Sequence, residues 1–202
     1  MKKQLINYPC RLPLIGLAGL AGSGKNTVAD IISSEFDVVH YAFAQPLKQM
    51  LQQGLGLNRH DTDGYRKEQI DTRYGKSPRQ MMQTLGTEWG RNMVHPDIWV
   101  KATEGYCQRL HEENPVLAII LTDVRFNNEA EWVRSQGGVI IHVKRPDAAP
   151  VAEHVSEQGV EYIENVDFVI HNDGDLDDLK VNTLEIIEYI AQQRTGRFLH
   201  AS

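Results

Sequence analysis

The segment Gly19-Leu20-Ala21-Gly22-Ser23-Gly24-Lys25-Asn26-Thr27 carries the most specific chemistry in the chain. Its glycines let a backbone turn tightly and aim successive N–H groups at one centre. Those donors, backed by the N-terminus of a following helix, form a hole for an anion. A lysine in the place of Lys25 reaches β- and γ-phosphates, and a threonine hydroxyl such as that of Thr27 can ligate magnesium. The strict form of the pattern asks for Ser or Thr directly after the lysine. Here that place holds Asn26, and Thr27 follows one residue later. Ala21, Gly22, Ser23, Gly24, Lys25, Asn26 and Thr27 are the expected ATP and phosphate ligands. A plain Gly-rich turn between a strand and a helix is the competing reading, and the strand-before, helix-after context counts against it.

Phosphoryl transfer needs positioning, a cation and positive charge over the migrating group. Asp123 follows an apolar run and is a candidate for holding Mg2+ together with Thr27; its ordinary alternative is a helix cap. Arg125 lies two residues on and Arg145 ends Lys144-Arg145, so both are candidates for charge on the transferred phosphoryl group. Arg79 and Arg91 flank a segment with Gln80, Gln83 and Trp89. Arginine forks suit a dianionic monophosphate, Gln can read a base edge and Trp can stack on one. Arg79, Trp89, Arg91 and Asp123 are therefore the acceptor-binding candidates. Arg66-Lys67 reads as a solvated face, and His154, Ser156 and Glu157 as polar loop residues. None of the eight histidines has metal-ligand spacing.

These groups need a scaffold. Leu14–Ala18 is a short apolar run ending in glycine, which suits a buried strand. Val28, Ile31, Ile32 and Phe36 recur at helical spacing, predicting a helix over 25–35. Strands are expected over 38–43, 116–121, 139–143 and 168–170, with 116–121 central. Helices are expected over 78–91, opened by Ser77-Pro78, over 96–112, over 127–136 up to Gly137-Gly138, and from the cap Asp175 onward with a frayed tail from Gln192. The helical stripe of Met81, Met82, Leu85 and Trp89 predicts a core-facing side. The stretch 46–75 gives no clear pattern, and 145–165 reads as a lid-like loop excursion. Alternating strands and helices predict an α/β class with a parallel sheet covered on both faces, in one domain over 1–202 with an acceptor-binding insertion at 46–95.

The bulk composition narrows the function classes. The 202 residues are 41% hydrophobic and 24% charged, ordinary for a globular protein. A net charge of −6 disfavours a nucleic-acid partner, since phosphate neutralisation requires a basic surplus. Cys10 and Cys107 lie far apart, so neither a disulfide framework nor a zinc site is expected. No apolar run approaches the roughly 18 residues of a membrane helix. A cytoplasmic location is the expectation.

Several short stretches occur in a familiar order: Gly22-Ser-Gly-Lys-Asn-Thr-Val-Ala-Asp30, Leu85-Gly-Thr-Glu88, Trp99-Val-Lys101, Thr122-Asp-Val-Arg125, Ile141-His-Val-Lys-Arg-Pro146, His154 and Asn172-Asp-Gly174. With them the chain resembles the bacteriophage-type deoxynucleoside monophosphate kinases, a branch of the P-loop nucleoside monophosphate kinases. The lysine-x-threonine spacing is itself common in that superfamily. The resemblance implies a three-layer α/β/α P-loop kinase fold, ATP, Mg2+, a deoxynucleoside 5′-monophosphate acceptor and often a homodimer. By position it implies ATP and metal binding for Lys25 and Thr27, active-site places for Asp123 and Arg125, and a phosphate-sensing place for Arg145. Asn26 stands where some relatives have Asp, so no acid role carries over there. The poor match over 46–75 carries no base preference. The expected partners are small-molecule nucleotide substrates, with no nucleic acid and no membrane. The rival readings are a P-loop kinase of another small acceptor, such as dephospho-coenzyme A, and a non-catalytic nucleotide-binding module.

Overall fold

The computed structural model describes residues 12–114, 118–148 and 159–199. Two compact units emerge, one from residues 1–41 with 107–202 and the other from 42–106. The larger unit is built on five strands, β1 (Ile15–Ala18), β2 (Val38–Tyr41), β3 (Ala118–Val124), β4 (Val139–Lys144) and β5 (Phe168–His171). They form one sheet in the order β2-β3-β1-β4-β5, with every neighbouring pair parallel. Helix α1 (Lys25–Glu35) and helix α7 (Leu176–Leu199) pack together on one face, and α6 (Asn127–Ser135) packs on the other. This is the three-layer α/β/α arrangement that strand–helix alternation predicts.

Strand periodicity explains why both faces are dry. Ile15, Leu17, Ile120, Ile141, Val143 and Ile170 point to the α1 and α7 side, where they meet Val28, Ile32, Leu179, Ile187 and Ile190 in one buried cluster. Alternate positions such as Ile140 and Val124 face Val133 of α6; a Cβ on Gly16 would come within 2.9 Å of both Ile140 and Val124 side chains. Each fully buried Ile or Leu in such a layer contributes roughly 1.5–3 kcal/mol over leaving it exposed. β3 is interior, between β2 and β1, while the middle place belongs to β1. Strand β1 therefore has neighbours reached by crossovers on either side, and the crevice beyond its carboxyl end is where open α/β sheets bind ligands.

Residues after β4 are tied down by a buried polar network. The Asp167 side chain is fully buried and accepts from Arg134 Nε at 2.9 Å and Nη2 at 2.6 Å, from Ile163 N–H at 2.9 Å, and pairs with His142 Nε2 at 3.1 Å. Burial opposes ionisation of Asp167, but the bonds from Arg134, Ile163 and His142 prevail and hold its carboxyl below the usual carboxylate range. Burial likewise disfavours the charged His142 imidazolium and outweighs the Asp167 contact, so its pKa lies below the usual 6.5. The sign follows from which state binds more protons. The unfolded chain protonates His142 first, so stability is full above pH 6.5 and falls as pH drops below it; Asp167 adds a second loss below 3.8. We expect thermal unfolding temperatures to fall between pH 7 and pH 5, and His142→Gln to flatten that slope.

The smaller unit is helical. It holds α2 (Gln45–Leu55), the short α3 (Arg59–Thr62), α4 (Pro78–Gln83) and the first turns of α5 (Ile98–Glu113). Leu51, Leu57, Met81 and Met82 form its core, with Leu55 and Leu85 at the margin. The stretch 46–75, which lacks a readable period, is thus helix α2, helix α3 and turns. The turns are held by the Lys48–Asp63 ion pair, by Gln52 Nε2 on Thr62 Oγ1 at 2.7 Å and by an Asp71–Lys76 bridge.

Two local expectations need correction. The helix expected over 78–91 is α-helical only to Gln83; Thr84–Val94 winds as a π-helix. The wider turn rotates the later positions off the stripe, so Trp89 is 38% exposed while Trp99 of α5 is buried in its place. Trp99 donates to Gly86 O at 2.7 Å and lies where a Cβ on Gly90 would be, 2.6 Å away. The second correction concerns the C-terminus: α7 continues past Gln192 to Leu199. The cap Asp175 is where the sequence places it, accepting from Asp177 N–H at 2.9 Å and Asp178 N–H at 3.0 Å.

Candidate active site

The glycine-rich segment joins β1 to α1 at the carboxyl edge of the sheet. Gly19 takes φ 144° and Gly24 takes φ 103°, both left-handed values that side chains resist. At Gly19 the space is closed as well, since a Cβ would sit 2.4 Å from Val143 O on β4. The loop closes one internal turn, Ser23 N–H to Leu20 O at 3.2 Å. The amides of Ala21, Gly22, Gly24, Asn26 and Thr27 have no main-chain acceptor among the described residues. Helix α1 has no acidic residue in its first turn and no side-chain cap, so neither offsets its positive end. Ser23 Oγ is buried and has no hydrogen-bond partner among the described residues. A buried hydroxyl without a partner is costly unless a ligand completes it.

Lys25 is only 9% exposed. Its Nζ donates to Gly19 O at 2.7 Å and Leu20 O at 2.8 Å, which folds the ammonium back over the start of the loop. Asn26 is exposed and Thr27 half-buried on the first turn of α1.

The strands on either side of β1 bring further groups to the same edge. Asp123 lies within β3 rather than after it, one residue before Val124, the register partner of Ala18. Arg125 follows directly. Its N–H donates to Glu129 Oε2 at 2.8 Å, and the N–H of Phe126 reaches the same oxygen at 3.1 Å. Glu129, 2% exposed, thus shapes the turn that presents Arg125. On the other side β4 ends at Lys144, and Lys144 and Arg145 are both exposed. Lys144 Nζ sits 5.7 Å from the centre of the Tyr162 ring, a cation–π distance. Lys25, Thr27, Asp123, Arg125 and Arg145 therefore belong to one unit and to one edge of its sheet.

The acceptor-binding candidates Arg79, Trp89 and Arg91 belong to the other unit. Arg79 pairs with Glu68, and Arg91 Nη1 donates to Pro96 O at 3.0 Å. Trp89 lies 6.5 Å from Trp99, ring centre to ring centre. Gln80 completes a capping box with Ser77, whose N–H it accepts at 3.0 Å, so its amide serves the helix start. Gln83 Nε2 is buried without a hydrogen-bond partner among the described residues. His154, Ser156 and Glu157, with the middle of the lid-like excursion (149–158), lie outside the described residues. No cluster of three or more His, Cys, Asp or Glu suited to a metal occurs among the described residues, and none of their helices is long and apolar enough to cross a membrane.

A family model for deoxynucleotide monophosphate kinase matches residues 13–73 and 57–183. The chain belongs to that family. A putative deoxynucleotide monophosphate kinase of Acanthamoeba polyphaga mimivirus is 30% identical over 89% of this chain and 98% of its own length. The deoxynucleotide monophosphate kinase of Enterobacteria phage T4 is 28% identical over 87% of this chain and all of its own. A solved gluconokinase from Sinorhizobium meliloti 1021 shares the fold, with a TM-score of 0.51 at 13% identity over 93% of this chain. As a member of the deoxynucleotide monophosphate kinase family the chain is a phosphotransferase with a nucleotide-binding loop. Sequence reasoning missed Glu129 at this edge, and Asp167 at the opposite, amino end of β5. Glu129 is one of many helix glutamates, and nothing in its spacing marks it as buried.

Proposed function

We propose that the chain transfers the terminal phosphoryl group of ATP to a deoxynucleoside 5′-monophosphate, releasing ADP and the diphosphate. The observation that carries this reading is the turn between β1 and α1, whose Ala21, Gly22, Gly24, Asn26 and Thr27 amides have no main-chain acceptor among the described residues, in a member of this family. An acceptor phosphate oxygen attacks the γ-phosphorus in line, and the bond to the β–γ bridging oxygen breaks. No covalent enzyme intermediate is needed.

Each residue has a stated task. The amides of Ala21, Gly22, Gly24, Asn26 and Thr27 and the Ser23 hydroxyl hold phosphate oxygens. Lys25 leaves the Gly19 and Leu20 carbonyls for the β- and γ-phosphates, a stronger, charge-assisted partner. The residues present suit Mg2+ as kinases use it, one hydroxyl and one carboxylate completed by phosphates and water, with Thr27 and Asp123 as its protein ligands. When bound, Mg2+ neutralises charge on the transferring group. Arg125 and Arg145 do the same from the chain. Arg79 and Arg91 take the acceptor's dianionic phosphate in exchange for Glu68 and the Pro96 carbonyl, and Trp89 stacks on its base.

The reading is tested by ADP release with each deoxy- and ribonucleoside monophosphate, dephospho-coenzyme A and gluconate as acceptors. We expect turnover with at least one deoxynucleoside monophosphate well above the acceptor-free rate. Turnover confined to dephospho-coenzyme A or gluconate, or ATP binding with no acceptor-dependent turnover, rejects it.

A further inference from the structure

Residue Asn172 stands immediately after β5, two strands away from the phosphate loop, yet it touches that loop. Its main-chain N–H donates to Lys144 O at the end of β4 at 2.8 Å. Its side-chain Nδ2 donates to Ser23 O at 2.9 Å. The acceptor is a carbonyl, so the amide orientation is dictated by the partner. One residue thus bridges the ends of β5 and β4 to the loop that follows β1. The preceding residue is itself held from behind, through Asn182 Nδ2 on His171 O at 3.3 Å.

The bond is made where α1 begins. In an uninterrupted helix the Ser23 carbonyl would accept from the N–H four residues on, that of Thr27. Helix α1 starts one residue later than that, with Gly24 as its N-cap, and the Ser23 carbonyl accepts from Asn172. The bond that does form is one residue later, Val28 N–H to Gly24 O at 3.0 Å, and Thr27 N–H keeps no main-chain acceptor among the described residues. Gly24 has to be glycine for this contact, because a Cβ there would lie 2.5 Å from Asn172 Nδ2.

We infer that Asn172 is a positioning residue for the phosphate loop: by bonding the Ser23 carbonyl it ties the turn just before α1 to the ends of β5 and β4 and so fixes the place of the first-turn amides. The inference rests on the reading of the loop as the ATP site. Asn172 acts through its bond to the Ser23 carbonyl. The chemistry it serves is recognition of a nucleoside triphosphate tail, so its loss weakens ATP more than the acceptor.

The test compares wild type, Asn172→Ala and Asn172→Leu, the second retaining side-chain volume against Gly24 and Leu179. Magnesium-ATP affinity is measured by calorimetry, KM for the best acceptor by steady-state kinetics, and folding by thermal unfolding. We expect ATP affinity to fall about tenfold in both variants, the size of one hydrogen bond to a charged group, with acceptor KM within about twofold and the unfolding midpoint little changed. If Asn172→Ala does not fold, Asn172→Leu alone decides. ATP affinity within twofold of wild type overturns the inference. So does an equal loss for ATP and acceptor with a collapsed midpoint, which marks a merely structural residue. Wild-type protein that binds no ATP defeats the ATP-site reading itself, a separate and recognisable outcome.

Discussion

Replacing Lys25 with Ala lowers kcat/KM for phosphoryl transfer by roughly 10²–10³-fold, the usual loss when one preorganised group aimed at developing charge is removed. The effect arises because the ammonium starts inside the loop. It is only 9% exposed and bonded to the Gly19 and Leu20 carbonyls, a short reach from any anion on the loop amides. The fold should survive, since those two bonds join neighbouring residues of one surface loop and add little to the sheet core. Circular dichroism and the unfolding midpoint should match wild type within a few degrees. Lys25→Arg rescues poorly, because a planar fork does not replace a compact ammonium in a loop closed by Val143 and Ser23 around Gly19. Near wild-type turnover in Lys25→Ala removes the lysine from the mechanism.

The second large effect is on stability. Asp167→Ala leaves Arg134 and His142 without their common partner in a site where the carboxylate is fully buried. Breaking a buried pair from one side costs about 3 kcal/mol at the lower end of the usual range, which suits an arginine that is 15% exposed. For a chain of this length that lowers the unfolding midpoint by roughly 6–12 °C. Arg134→Ala in the Asp167→Ala background should add much less than it does alone, because the two act as one network. A midpoint within about 2 °C of wild type in Asp167→Ala shows that the network contributes little.

Much of the scaffold was legible before any coordinates. The helix over 25–35 and the strands near 15, 38, 139 and 168 declare themselves because each is short, apolar and bounded by glycine or charge. The phosphate loop was legible because its glycines stand at the motif's spacing before Lys25, with a strand ahead and a helix behind. Helix α2 was not readable, because Gly54 and several glutamines dilute its stripe of Leu47 and Leu51. The π-helical turn after Gln83 has no sequence period of its own. It depends on the indole of Trp99 entering at Gly86 and Gly90, a contact set by the next helix. Asn172 shows the same limit at the site. Its place among the family-like stretches was visible, but the reach to Ser23 comes from three strand ends meeting, which spacing along the chain does not encode.

The central claim is that main-chain amides between β1 and α1 enclose a nucleotide's phosphates. The most direct measurement is an amide ¹H–¹⁵N titration of the full chain with magnesium-ATP. The account predicts that Gly22, Ser23, Gly24, Lys25, Asn26 and Thr27 shift together and saturate with one binding constant. Saturable ATP binding that leaves those amides unmoved would contradict it.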